Sequence, residues 1–391
     1  MNSSFTEILK EQCALHPSFI PQDALKLCYQ ATFGAEHLLS DPIGARSYFE
    51  QEFATAGRQT TLAEPLVEVI STDFCRINLR VWKAKNLPAQ WLFSLFLDST
   101  QALPSTAAPV HTISDDTHQQ IVPTVQTDAQ EIPSHLAQRF EENVAEITAL
   151  ALANQLPFSH TTWITALTLY QTGGIRAVHH SEAYRVAEQP AYRLIRRRFL
   201  PLLPLLERLI TLPTPLENKA VVLAIDGRCG AGKTTLATAL ANVLQTQAIQ
   251  MDDFFLPPDK RTPIRLSTPG GNVDYERFGI EVLPFLRCSH GFSYQKFHCA
   301  TMQLGEMRHI PTNRWRVVEG SYAHHPYFLQ YANLRIFVTI DPKTQNKRIL
   351  ARNGAAWAKE FKQKWIPMEE KYFSTYHIPE KADLILTDTP V

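Results

Sequence analysis

The spacing of apolar positions along the chain changes character near residue 220. Before that point it is mostly helical. In 21–39, Ala24, Leu25, Leu27 and Cys28, then Leu38 and Leu39, share one helix face, and 134–152 carries a similar stripe. A short strand-like run at 66–70 interrupts the pattern. The stretch 102–133, rich in Thr, Ser, Pro and Asp, has no period and reads as loop. The expectation for 1–200 is a mainly α-helical domain of unassigned role.

After residue 220 short apolar runs alternate with helical ones. Strands are expected at 221–226, 248–251, 315–319, 334–340 and 384–387. Helices are expected at 232–245, 276–287, 343–353 and 356–376. This alternation predicts an α/β domain, a parallel sheet with helices on both faces, which binds its ligands at the carboxyl ends of the strands. Pro201, Pro204, Pro213 and Pro215 mark 201–218 as a Pro-rich linker, leaving 219–391 as the second domain.

Composition narrows the setting. A chain of 391 residues exceeds one ordinary core, and 45% hydrophobic with 19% charged residues is the balance of a globular protein. Lys+Arg and Asp+Glu both number 38, so no net field draws the chain to nucleic acid or anionic lipid. The start lacks the basic-then-apolar order of a secretory signal. The most apolar stretch, 199–212, is broken by Pro201, Pro204, Glu207 and Arg208. Six cysteines stand without CxxC spacing, one of them, Cys229, inside a glycine-rich loop, so they are expected as reduced thiols in a cytoplasmic protein.

That loop is the strongest chemical signal. Gly227, Arg228, Cys229, Gly230, Ala231, Gly232, Lys233 and Thr234 fit GxxxxGK[ST] between an expected strand and an expected helix, with Thr235 next. Its glycines let successive N–H groups turn inward around a phosphate, and the helix adds its positive end. Lys233 supplies charge for the β and γ phosphates of ATP, and the Thr234 hydroxyl is placed to ligate Mg2+. Three acids follow at expected strand ends. Asp252 and Asp253 are candidates for the carboxylate that orients an acceptor hydroxyl and takes its proton, with only one able to face the cleft. Glu319, ending an apolar strand, is placed to hold magnesium. Beyond Asp341, Arg348 and Arg352 stand at i, i+4, where they could neutralise phosphate charge as a lid or simply line a solvated face.

Through 224–235, 251–255, 272–274, 317–321 and 347–352, the second half resembles the uridine kinase and phosphoribulokinase family of P-loop kinases over about 170 residues. The resemblance implies Asp252 as base, Asp274 as a holder of sugar hydroxyls, Glu319 near magnesium, and Arg348 and Arg352 in the lid. It brings Asp253, Phe255 and His298 to the acceptor side. Phe255 replaces a usual Tyr, and Phe297 and Met302 stand where nucleoside-contacting Tyr and His residues are expected. The implied activity is transfer of the γ-phosphoryl of ATP to a small-molecule hydroxyl, a uridine- or cytidine-type nucleoside first. Another alcohol or sugar metabolite, or an ATP-controlled regulator without an acceptor, are the alternatives. Neither nucleic acid nor membrane is expected as a partner, and a homo-oligomer is compatible with the sequence.

In the first half, 33–37, with Glu36 and His37, and 179–185 are rich in functional side chains but lack metal-ligand spacing, so structural roles are expected. The arginines at 193 and 196–198 are expected at a solvated helix end.

Overall fold

A computed structural model of the chain describes residues 4–35, 42–57, 64–100, 132–213 and 216–387. Most of the 102–133 stretch, and Glu36 and His37, lie outside the described residues. The chain divides into two compact units, one formed by residues up to Leu200 and the other running from Pro201 to Val391.

The first unit carries, in order, α1 (Phe5–Leu15), α2 (Pro21–Phe33), α3 (Pro42–Thr55), β1 (Val67–Val69), β2 (Phe74–Asn78), α4 (Leu79–Ala84), α5 (Ala89–Thr100), α6 (Ser134–Leu152), α7 (His160–Gln171), α8 (Glu182–Glu188) and β3 (Tyr192–Arg196). The strands form an antiparallel sheet in the order β1-β2-β3. Helices α1 to α8 accompany this sheet, whose strands β2 and β3 the sequence pattern does not reveal.

Both missed strands hide arginines among apolar residues. Arg76 on β2 is buried and donates to Gln12 at 2.8 Å and Gln30 at 2.8 Å, with Glu68 at 3.5 Å. Arg193 and Arg196 belong to β3, not to a solvated helix end. Arg193 pairs with Glu52 over the Phe49 ring, and Arg196 is buried over Phe74 with its backbone N–H on Ser99 Oγ.

The 179–185 segment is structural in the same way. Buried Asp23 accepts from Ser181 Oγ at 2.7 Å and Ser181 N at 3.0 Å, and His180 Nδ1 lies 2.9 Å from it. His180 Nε2 meets the Tyr192 hydroxyl at 2.7 Å, and its ring stacks on Tyr184. Burial pushes the His180 imidazole down to about 4, so at neutral pH it is an uncharged link between α2 and β3.

The second unit opens with α9 (Leu202–Ile210), followed by β4 (Val221–Gly227), α10 (Lys233–Leu244), β5 (Ala248–Gln250), α11 (Pro263–Ser267), α12 (Tyr275–Glu281), β6 (Phe292–His298), β7 (Gln303–Ile310), β8 (Trp315–Glu319), β9 (Leu334–Thr339), α13 (Pro342–Glu360), α14 (Ile366–Tyr376) and β10 (Leu384–Thr387). The expected linker is thus corrected over 202–210. Pro204 is tolerated in a first turn, where no helical N–H is lost. Five leucines, 202, 203, 205, 206 and 209, are buried, each worth roughly 1.5–3 kcal/mol.

Five strands form the expected parallel sheet, in the order β10-β9-β4-β8-β5. β4 is buried along its whole length, as a central strand with both faces covered must be. From β4 the chain turns first toward β5 and β8 and later toward β9 and β10. The crevice at its carboxyl end is therefore the place where a ligand fits between diverging connections. The β6–β7 hairpin was not anticipated; its exposed β7 positions blur the alternation.

Candidate functional site

The loop after β4 folds as its glycines require. Gly227 has φ +142°, and a Cβ there would lie 2.0 Å from the Val338 carbonyl oxygen of neighbouring β9. Gly232 takes φ +94° as the N-cap of α10, so the loop enters the helix without a side chain in the way. Lys233, at the first helical position, is buried. It donates from Nζ to the carbonyls of Gly227 at 2.7 Å and Arg228 at 3.1 Å, lying along the inside of its own loop.

Glu319 ends β8 beside β4, and its Oε2 lies 3.4 Å from Thr234 Oγ1. Burial pushes its carboxyl up to about 7; the Asp252 charge adds to this and Lys233 opposes it. A carboxylate beside a helix-start hydroxyl offers the hard oxygen donors that a divalent cation takes. Among the described residues no three His, Cys, Asp or Glu side chains lie together as a cage for a metal.

The two aspartates after β5 separate. They lie in a 3₁₀ turn, Met251–Phe254, and face opposite environments. Asp253 is buried, accepting from Tyr294 at 2.7 Å and Arg308 at 3.3 Å, while Arg277 donates to its carbonyl. Asp252 reaches solvent, yet desolvation by the protein around it raises its carboxyl. Lys233 and Arg352 oppose that rise, while Asp253 and Glu369 reinforce it. Thus Asp252 lies within the fields of Lys233 and Arg352, Glu319 lies within those of Asp252 and Lys233, and Asp253 supports the turn from below.

The remaining expected residues are distributed as follows. Asp274 is buried; it caps α12 by accepting from Arg277 N and pairs with Lys260 Nζ at 2.8 Å. Phe255 is half-buried, bridging Val273 through the backbone. His298, at the hairpin end, sits 2.5 Å from Glu306. Arg348 reaches the Gly230 carbonyl at 3.4 Å, and Arg352 is exposed one turn further along α13. Asp341 caps α13. Cys229 is buried beside Glu369, which with burial holds its thiol protonated.

Several organising residues escape sequence reasoning. Asp226, fully buried on β4, accepts from Tyr322 N at 3.2 Å, His324 N at 2.9 Å and the Tyr372 hydroxyl at 2.8 Å, fixing the turn that follows Glu319. Arg228 is gripped by Glu370 through 2.7 and 3.0 Å contacts, and Glu369 takes the Cys229 N–H at 3.0 Å. A charge closing an apolar run was the only visible signal for Asp226; nothing in spacing singled out Glu369, Glu370 or Tyr294.

No protein-family model matches the sequence, and no curated protein matches it closely enough to be called a relative. Solved structures do. A possible uridine kinase from Bacillus stearothermophilus is 19% identical, over 48% of this chain and 97% of its own, with a TM-score of 0.36. A provisionally assigned fructose transport system kinase from Silicibacter sp. TM1040 is 20% identical, over 44% of this chain and 92% of its own, with a TM-score of 0.35.

Proposed function

We propose that the second unit is an ATP-dependent phosphotransferase that moves the γ-phosphoryl group to a hydroxyl of a small molecule, a uridine- or cytidine-type nucleoside being the first acceptor to try. The observation that carries this is the convergence of Lys233, Thr234 and Glu319 with a solvent-reached carboxylate, Asp252. A loop that only binds nucleotide has no use for that fourth group.

Each side chain has a task that follows from its position. The loop amides and the start of α10 hold the β and γ phosphates, and Lys233 turns from the Gly227 and Arg228 carbonyls to the phosphate oxygens. Thr234 and Glu319 would hold magnesium, which neutralises phosphate charge when bound. Asp252 accepts the proton of the attacking hydroxyl and keeps the oxygen in line. Arg348 and Arg352, on the helix after β9, stabilise charge that grows on the transferred group. Asp253 holds the Asp252 turn through Tyr294 and Arg308.

The test is transfer of label from γ-labelled ATP to a panel of nucleosides, sugars and other alcohols by the full chain. A phosphorylated product with at least one acceptor, lost on Asp252→Asn, supports the proposal. Turnover of ATP to free phosphate alone, across the panel, rejects it.

A further inference from the structure

Helix α14 supplies the phosphate loop with a support that the chemistry above leaves unused. Its buried face presents Glu369, Tyr372 and Phe373 at i, i+3 and i+4, the spacing of one helix side. Phe373 packs edge-on against Phe337 of β9 at 5.0 Å, and Tyr372 donates to Asp226. These contacts set the helix so that its first turn points at the loop. Glu369 is buried there, with one carboxylate oxygen on the Cys229 N–H at 3.0 Å and the other on Ser321 Oγ at 2.7 Å. Ser321 stands two residues beyond Glu319, on the turn that Asp226 anchors. Glu370 beside it takes Arg228 in a two-pronged pair, and Gln345 of α13 donates to the Cys229 carbonyl at 2.9 Å.

We propose that Glu369 is a positioning residue: its carboxylate ties the phosphate loop to the Ser321 turn and so fixes the spacing between the loop amides and the metal carboxylate Glu319. This rests on reading the site as one for ATP with magnesium. A buried carboxylate close to a triphosphate repels it, so a charge in this place is kept for geometry and not for attraction. It strengthens both hydrogen bonds it accepts, since charged acceptors hold donors about twice as strongly as neutral ones. The two ends of the tether are part of one link, so breaking either releases the same constraint.

The experiment is calorimetric titration of the full chain with ATP and magnesium, for the wild type, Glu369→Gln, Glu369→Ala, Ser321→Ala and the Glu369→Ala, Ser321→Ala double variant. Gln can accept the Cys229 N–H and donate to Ser321, so E369Q binds within about threefold of the wild type. E369A and S321A each weaken binding roughly tenfold, the scale of one charge-assisted hydrogen bond. The double variant is no weaker than the worse single one, since neighbours in one link are not additive. In turnover the KM for ATP rises more than kcat falls.

A side chain that served stability alone would lower the melting temperature of the free protein without moving Kd. That result, or losses that multiply in the double variant, overturns the proposal. Wild type that fails to bind ATP overturns the reading of the whole site. Wild type that binds while E369A binds equally well removes the role of Glu369 only.

Discussion

The buried carboxyl of Glu319 opposes folding when ionised, and Glu319→Gln measures by how much. In the folded protein its carboxyl rises from the ordinary 4.5 to about 7, first because it is buried and next because Asp252 is near. At roughly 1.4 kcal/mol for each factor of ten in proton affinity, ionised Glu319 opposes folding by about 3 kcal/mol. The sign follows from the direction. Below the unfolded value both states hold the proton and nothing is lost. As pH rises from the unfolded value to the folded one the penalty grows, and above the folded value it has its full size. E319Q, uncharged at every pH, therefore matches the wild type below about pH 4.5, pulls ahead between about pH 4.5 and 7, and keeps its full margin above that. The margin approaches about 3 kcal/mol, or roughly 6–12 °C for a unit of this size. Thermal unfolding of the metal-free protein across this pH range is the assay. With ATP and magnesium the order reverses, because only the wild type gains from the metal. A metal-free E319Q no more stable than wild type at about pH 8 would refute the argument.

Other expectations follow from the same geometry. Lys233→Met removes the ammonium that lies along the loop; nucleotide affinity and turnover fall on the order of 100-fold or more, read by titration and steady-state kinetics. Asp252→Asn leaves nucleotide affinity within about twofold while transfer drops roughly 10²–10⁴-fold, which a binding isotherm and a labelled-product assay separate. Tyr294→Phe strips Asp253 of its 2.7 Å donor and costs about 1–3 kcal/mol in denaturant unfolding, because the buried carboxylate loses a partner. In the first unit, Asp23→Ala leaves Ser181 and His180 without their shared acceptor and destabilises that unit by roughly 3 kcal/mol, without changing ATP affinity.

Much of the second unit is legible in sequence because its signals are local. Each of the five expected strands appears within about two residues of its place, and the central ones, β4, β8 and β9, read as apolar runs because they are buried. Gly354, with φ +78°, breaks the long helix between the two expected pieces. The phosphate loop is legible for the same reason: its glycines and Lys233 act through neighbours in the chain. What stayed hidden depends on distant partners. Asp253 and Asp252 are identical letters until Tyr294 and Arg308, more than forty residues away, claim one of them. Glu369 and Glu370 look like any acidic helix start until α14 packs on the sheet. In the first unit the sequence assigns Arg193 and Arg196 to solvent, and only the pairing of β3 with β2 and the contact of Arg196 with Ser99 place them in a sheet.

On the proposed function, the loop from Gly227 to Thr234, completed by Glu319, grips a nucleoside triphosphate together with a divalent cation. Equilibrium titration of the full chain with ATP, with and without magnesium, tests it most directly. Saturable one-to-one binding that tightens when magnesium is added is the result predicted. Heats indistinguishable from dilution under both conditions would contradict it.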